Sequence, residues 1–123
     1  MELLFQHESY NIVGACMTVH SKLGSGFLES VYAEALELEF NKSEIPYAKE
    51  KRLPVYYDGK IMKKFFIADF VCYESIIIEL KATKFTIEAD IKQTLNNVKA
   101  TQFKLGLLIN FGTPSLSYKR IVN

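Results

Sequence analysis

Two cysteines, two histidines and a net charge of +1 leave little from which several common chemistries could be built. Cys16 and Cys72 both sit in apolar contexts, without the further pairs that staple a small secreted domain. They read as buried thiols of a reducing cytoplasm. No cysteine or histidine spacing resembles a zinc site, and no serine–histidine motif supports nucleophilic catalysis. With 15 basic against 14 acidic side chains, no overall field marks a nucleic-acid binder, although a neutral total leaves room for a local basic groove. The longest apolar runs fall far short of a membrane span, so no membrane partner is expected. The opening MELLFQHESY lacks a basic flank and a long apolar stretch, and no signal peptide is expected. No repeat, low-complexity tract or linker interrupts the chain. At 123 residues, 49% hydrophobic and 24% charged, it is expected to form one globular domain over 1–123.

The most informative stretch is ADFVCYESIIIELKA at 68–82. It reads as two strands, with Asp69 on the first and Glu79 and Lys81 on the second. Residues i and i+2 of a strand share a face, so Glu79 and Lys81 project together while Leu80 faces away. The runs around them are β-branched and aromatic on both faces, which suits central strands. Carboxylates in such strands are costly to desolvate unless a charge meets them. A divalent cation would satisfy Asp69 and Glu79, and Lys81 could hold a negatively charged substrate or a water beside it. Register tests this arrangement. Asp69 faces Glu79 only if Cys72 pairs with Ile76 and residues 73–75 form a three-residue loop; a two-residue loop turns Asp69 to the wrong side.

The remaining chain supplies the frame. Helical spacing over about 7–23 lines up Ile12, Cys16, Val19 and Leu23, with Val13 and Met17 beside them, and Gly24-Ser25-Gly26 ends the helix. His20 is expected near the terminal carbonyls of that helix. A second helix over roughly 27–40 shows Leu28, Val31, Tyr32, Ala35 and Leu38 as its main apolar face. Glu29 lies on another stripe, with Gly26, Tyr32, Ala33 and Leu36; its spacing alone reads as a first-turn acid favoured by the helix dipole. Strands follow at 49–57, 63–72 and 75–81, with Asp58-Gly59 as a hairpin turn and Pro54 marking an edge or a bulge. A helix over 86–101 presents Ile87, Ile91, Leu95 and Val98 to the core and a polar row of Asp90, Gln93 and Asn97, with Asn96 adjacent. Strands at 103–111 and 116–122 close the order α, α, β, β, β, α, β, β. That order implies a mixed sheet with antiparallel hairpins and one parallel crossover through the third helix.

Ala-Asp-Phe, then Glu-x-Lys on a very apolar strand, then a helix bearing Gln, resembles the PD-(D/E)XK nuclease superfamily in residues and in element order. GFLESVY at 26–32 carries the G-x-x-E-x-x-Y signature of the small GxxExxY proteins, and VHSKLGSGFLESVYAEAL, FFIADFV, IIIELKAT and LGLLINFG look like that family's blocks in its order. The resemblance implies a restriction-endonuclease-like α/β core, a mixed central sheet flanked by helices. It implies a metal-dependent nuclease cleaving phosphodiester bonds, with DNA as the expected substrate and Mg²⁺ or Mn²⁺ as cofactor. Asp69, Glu79 and Glu29 would hold the metal, and these three with Lys81 would be catalytic. Gln93 and Tyr32 are expected on the substrate side. Three places depart from the pattern: Asp90 stands where relatives carry His, Asn97 where they carry Tyr, and Ala68 where the superfamily name has Pro. A homodimer is expected because so small a domain offers little surface to embrace a duplex. Two other readings stay open: a non-catalytic nucleic-acid-binding or accessory module on this fold, and an interaction protein in which Glu29 and Glu79 merely pair with Lys81.

Overall fold

The computed structural model describes residues 4–123. Three helices, α1 (Gln6–Leu23), α2 (Glu29–Lys42) and α3 (Glu88–Ala100), flank five strands: β1 (Tyr47–Tyr57), β2 (Lys60–Cys72), β3 (Ile76–Lys81), β4 (Leu105–Asn110) and β5 (Ser117–Val122). The sheet runs β1-β2-β3-β4-β5, so β3 is its middle strand. β3 and β4 pair in parallel across the α3 connection, and the other neighbours are antiparallel. This is the expected mixed sheet with a single parallel crossover.

β3 occupies the centre because it can be buried on both faces. Ile76, Ile77 and Ile78 are fully buried, and each such side chain contributes about 1.5–3 kcal/mol of burial. Ile76 and Ile78 join Ile12, Cys16, Leu36 and Phe40 in the core beneath α1 and α2. Ile77 packs in the smaller core with Val98 of α3.

Cys72 pairs with Ile76, and the same register runs through Val71–Ile77 and Phe70–Ile78. The three-residue loop is therefore present, and continuing the register sets Asp69 opposite Glu79. Tyr73 and Glu74 take the left-handed conformation, with φ of 54° and 55°, in place of the glycine usual there. The Tyr73 amide donates to the Pro46 carbonyl (2.9 Å) and its hydroxyl accepts from Asn11 Nδ2 (3.3 Å), which ties the turn to α1 and to the start of β1.

Several expectations about helix faces need correction. The buried stripe of α2 is Tyr32, Leu36 and Phe40, whereas Leu28, Val31 and Leu38 are exposed. Apolar residues occupy both sides of this helix, and burial follows the stripe that also carries Glu29. In α3 the buried residues are Thr94 and Val98, with Ile91 and Leu95 half-buried and Ile87 exposed at the helix start. Met17 on α1 is also exposed. His20 lies in the last turn of α1 as expected and is buried there; its Nε2 donates to the Thr113 carbonyl (2.9 Å) and its ring stacks on Phe111.

β1 is an edge strand, and its register with β2 shifts between Pro54 and Tyr56, as a proline in a strand requires. Asp58 and Gly59 turn the chain with positive φ at both residues. β2 is buried only in its second half; from Lys60 to Phe65 it is exposed. The β1–β2 hairpin thus extends beyond the packed sheet as a two-stranded arm.

Candidate active site

The β2–β3 ladder changes character where Asp69 meets Glu79. Beyond Phe70–Ile78, side chains take over the bonding between the strands. The Asp69 amide donates to Glu79 Oε2 (3.1 Å), and the Leu80 amide donates to Asp69 Oδ2 (2.7 Å). Each carboxylate therefore receives a backbone N–H from the other's strand, which fixes both acids with little freedom. Across β1, Glu50 lies opposite Asp69 in register and takes a left-handed φ of 51°. Such local distortion is common where strands re-aim side chains at a site.

Asp69, Glu79 and Lys81 line one cavity of about 170 Å³, together with Glu29, Leu80, Gln93 and Thr94. Four elements thus converge: the start of α2, β2, β3 and α3. Hollows of about 370, 400 and 550 Å³ open elsewhere, but none brings two carboxylates together. Burial, reinforced by the charge of Asp69, pushes the Glu79 carboxyl up to about 8. Burial and then Asp69 also raise Glu29, and Lys81 opposes the rise. Crowded carboxyls in a buried setting favour the protonated form, and a cation placed between them would lower that preference.

Lys81 offsets this crowding only in part. Its Nζ lies 3.8 Å from Asp90 Oδ1, and among the described residues this is its ion pair. Among the described residues neither Glu29 nor Glu79 comes within ion-pair distance of Lys81. Asp90 turns the lysine toward α3, so the polar row on that helix does have a partner in the site. Gln93 lies in the cavity wall, and Asn97 does not.

Tyr32 departs from its expected place. It is fully buried, with no surface to offer a substrate. Its hydroxyl donates to the Gly24 carbonyl (2.5 Å) and accepts from the Phe27 amide (3.2 Å). Its ring stacks on Phe111 at 4.6 Å, and the Phe111 amide donates to the Lys81 carbonyl (2.8 Å). The chain of contacts from Lys81 through Phe111 and Tyr32 fixes the 24–28 loop, and that loop delivers Glu29 as the first residue of α2. Gly24 and Gly26 allow its path, with φ of 71° and 107°.

Asn110, which sequence reasoning missed, organises the connection from Lys81 to α3. It pairs with Lys81 across the parallel ladder and is buried. Its Oδ1 accepts from the Thr83 and Gly112 amides (3.1 and 2.9 Å), and its Nδ2 donates to Thr86 Oγ1 (3.0 Å). These bonds hold the segment that leads from Lys81 into α3. A Cβ at Gly112 would overlap the backbone of Thr83, so that position admits only glycine without movement.

The donor set for a metal is all oxygen, which suits a hard divalent cation. Asp69 and Glu79 are the two carboxylates that meet there. Glu29 borders the same cavity, and among the described residues no three Asp, Glu, His or Cys side chains form a group that could hold a metal ion. Two carboxylates and retained waters are a normal Mg²⁺ shell.

Among curated proteins, none matches the chain. Among the solved structures similar in fold are SSO0001 and an alkaline exonuclease. SSO0001 superposes with a TM-score of 0.60 at 17% identity, over 97% of this chain and 60% of that one. The chain thus spans 60% of the length of SSO0001. An alkaline exonuclease (LHK-Exo) from Laribacter hongkongensis superposes with a TM-score of 0.55 at 10% identity, over 100% of this chain and 72% of that one. The family model described as the PD-(D/E)XK nuclease superfamily matches residues 6–121. With that match running through every element of the fold, the chain belongs to the PD-(D/E)XK nuclease superfamily.

Proposed function

We propose that this chain is a metal-dependent nuclease that hydrolyses phosphodiester bonds in DNA, working as a single domain over 1–123 and within the GxxExxY group. The observation that carries the reading is the meeting of Asp69, Glu79, Lys81 and Glu29 in one cavity, with the Glu79 carboxyl raised by burial and by Asp69 although Lys81 partly opposes the rise. Nucleases of this superfamily generally use divalent metal ions. Asp69 and Glu79 would hold Mg²⁺ or Mn²⁺, with Glu29 bordering its water shell; the bound ion would supply charge neutralisation at the phosphoryl oxygens and a more acidic water. Lys81, kept toward the cavity by Asp90, would hold a phosphate oxygen or the attacking water as a compact point charge. Gln93 would offer an amide donor to the nucleic-acid strand. Two buried, unpaired thiols suit a reducing cytoplasm. A homodimer belongs to the same reading, and light scattering tests it.

The decisive experiment is cleavage of labelled single- and double-stranded DNA with Mg²⁺ or Mn²⁺, beside the Lys81→Ala protein. Metal-dependent products from the wild type and none from Lys81→Ala support the proposal. Metal binding without products from any substrate would favour a non-catalytic nucleic-acid module on the same fold.

A further inference from the structure

Most of the β1–β2 arm projects past the core, which it meets at Leu53 and Phe66. Between 51 and 67 it carries five cations, Lys51, Arg52, Lys60, Lys63 and Lys64, against one acid, Asp58. The arm is therefore +4 in a chain whose total is +1, which leaves the remainder net negative. All five cations are exposed, and among the described residues none is paired with a carboxylate. Apolar surface is interleaved with them, with Tyr57, Ile61 and Phe65 each exposed. The Arg52 guanidinium lies 3.8 Å over the Phe65 ring, which braces the two strands against each other.

Solvated lysines usually disperse over a surface. Here they are gathered on a projecting ribbon, beside aromatic faces, and that combination suits a phosphate backbone with accessible bases. Position adds a second argument. β2 runs without interruption from the arm to Asp69, so whatever lies along the arm is led toward the cavity. At about 3.3 Å per residue, Lys64 and Lys63 lie about 17–20 Å from Asp69 along the strand, and Lys60 about 30 Å. That span corresponds to roughly five to nine nucleotides at about 3.4 Å each.

We propose that the β1–β2 arm is a nucleic-acid-binding surface that grips the phosphate backbone several nucleotides from the site and sets the strand's approach to it. The inference rests on the nuclease reading for the identity of the partner, but binding can be measured without cleavage. The probe is a fluorescein-labelled 20-base-pair duplex, and its single strand, titrated by anisotropy in EDTA at 50–200 mM salt. The test variant is Lys60→Glu/Lys63→Glu/Lys64→Glu, whose exposed positions should leave the melting temperature unchanged. Duplex affinity should fall at least tenfold at low salt, and the slope of log affinity against log salt should flatten by about 2.7, at about 0.9 per lost phosphate contact. Equal affinity and equal slope for the triple variant would overturn the proposal, whether or not the protein cleaves DNA. Arm-dependent binding by a protein that cleaves nothing would sustain the arm and sink the nuclease reading. A triple variant that changes only the mass in light scattering would show the arm to be a contact between copies, and would overturn it too.

Discussion

Asp69 and Glu79 hold each other's strands: the Asp69 amide bonds the Glu79 carboxyl at 3.1 Å, and Asp69 in turn accepts the amide that follows Glu79 at 2.7 Å. The bonds place two acids side by side, and burial then lifts Glu79 from an ordinary 4.5 to about 8. The folded protein thus keeps a proton that the unfolded chain releases above about 4.5. The resulting stability is fully present below about 4.5 and is lost as pH rises through about 8, in the absence of metal. The loss is on the order of a few kcal/mol. Denaturant unfolding in EDTA at pH 5.5, 7 and 8.5 should show this fall, and Glu79→Gln should flatten it. A wild-type protein equally stable across that range would contradict the pairing.

Metal should reverse that trend. Binding at pH 7 displaces the Glu79 proton, so calorimetry in buffers of different ionisation enthalpy should count about one proton released. The melting temperature should rise with the logarithm of Mg²⁺ or Mn²⁺ above its Kd, and rise more at pH 8.5 than at pH 6.5. Asp69→Asn should remove the shift. Its amide oxygen can still accept the Leu80 N–H, so metal-free stability should be equal or higher. A strongly destabilised Asp69→Asn protein with no metal response in the wild type would mark Asp69 as structural.

The Lys81–Asp90 pair separates positioning from binding. Both side chains reach solvent, so the pair contributes about 0–1 kcal/mol to stability. Asp90→Asn should leave metal binding intact and lower the cleavage rate by freeing the lysine, with added salt narrowing the difference from wild type. An unchanged rate would show that Asp90 does not position Lys81.

Tyr32 and Glu29 should behave differently although they stand one helical turn apart. Tyr32→Phe strands the Gly24 carbonyl and the Phe27 amide, costing about 1–3 kcal/mol, and weakens metal binding through the displaced loop. Glu29→Gln should weaken metal binding at a stability cost of about 0.3–1 kcal/mol at most. Metal affinity unchanged by Glu29→Gln would leave that residue a first-turn acid and nothing more.

What could be read in advance was whatever strand parity controls. The Cys72–Ile76 register followed from requiring two carboxylates on one face, and the crossover followed from element order. α2 resisted because its apolar residues cover two stripes; hydrophobicity alone cannot choose between Leu28-Val31-Leu38 and Tyr32-Leu36-Phe40. Tyr32 was legible as belonging with Glu29, but its direction was not, since the ring partner Phe111 is distant in sequence. Asn110 left no local signal. A lone amide at a strand end acquires meaning only when the 82–86 segment passes beside it.

Cys16 on α1 and Cys72 at the end of β2 are both fully buried in the core beneath the helices, and burial lifts the Cys72 thiol to about 12 and Cys16 higher still. The reactive thiolate is therefore suppressed twice, by inaccessibility and by proton affinity. The native protein should ignore alkylating reagents and mild oxidants and need no added reductant. Any modification of Cys16 or Cys72 would then clock the lifting of α1 from the sheet, and the two thiols become a built-in stopwatch for how often the molecule opens.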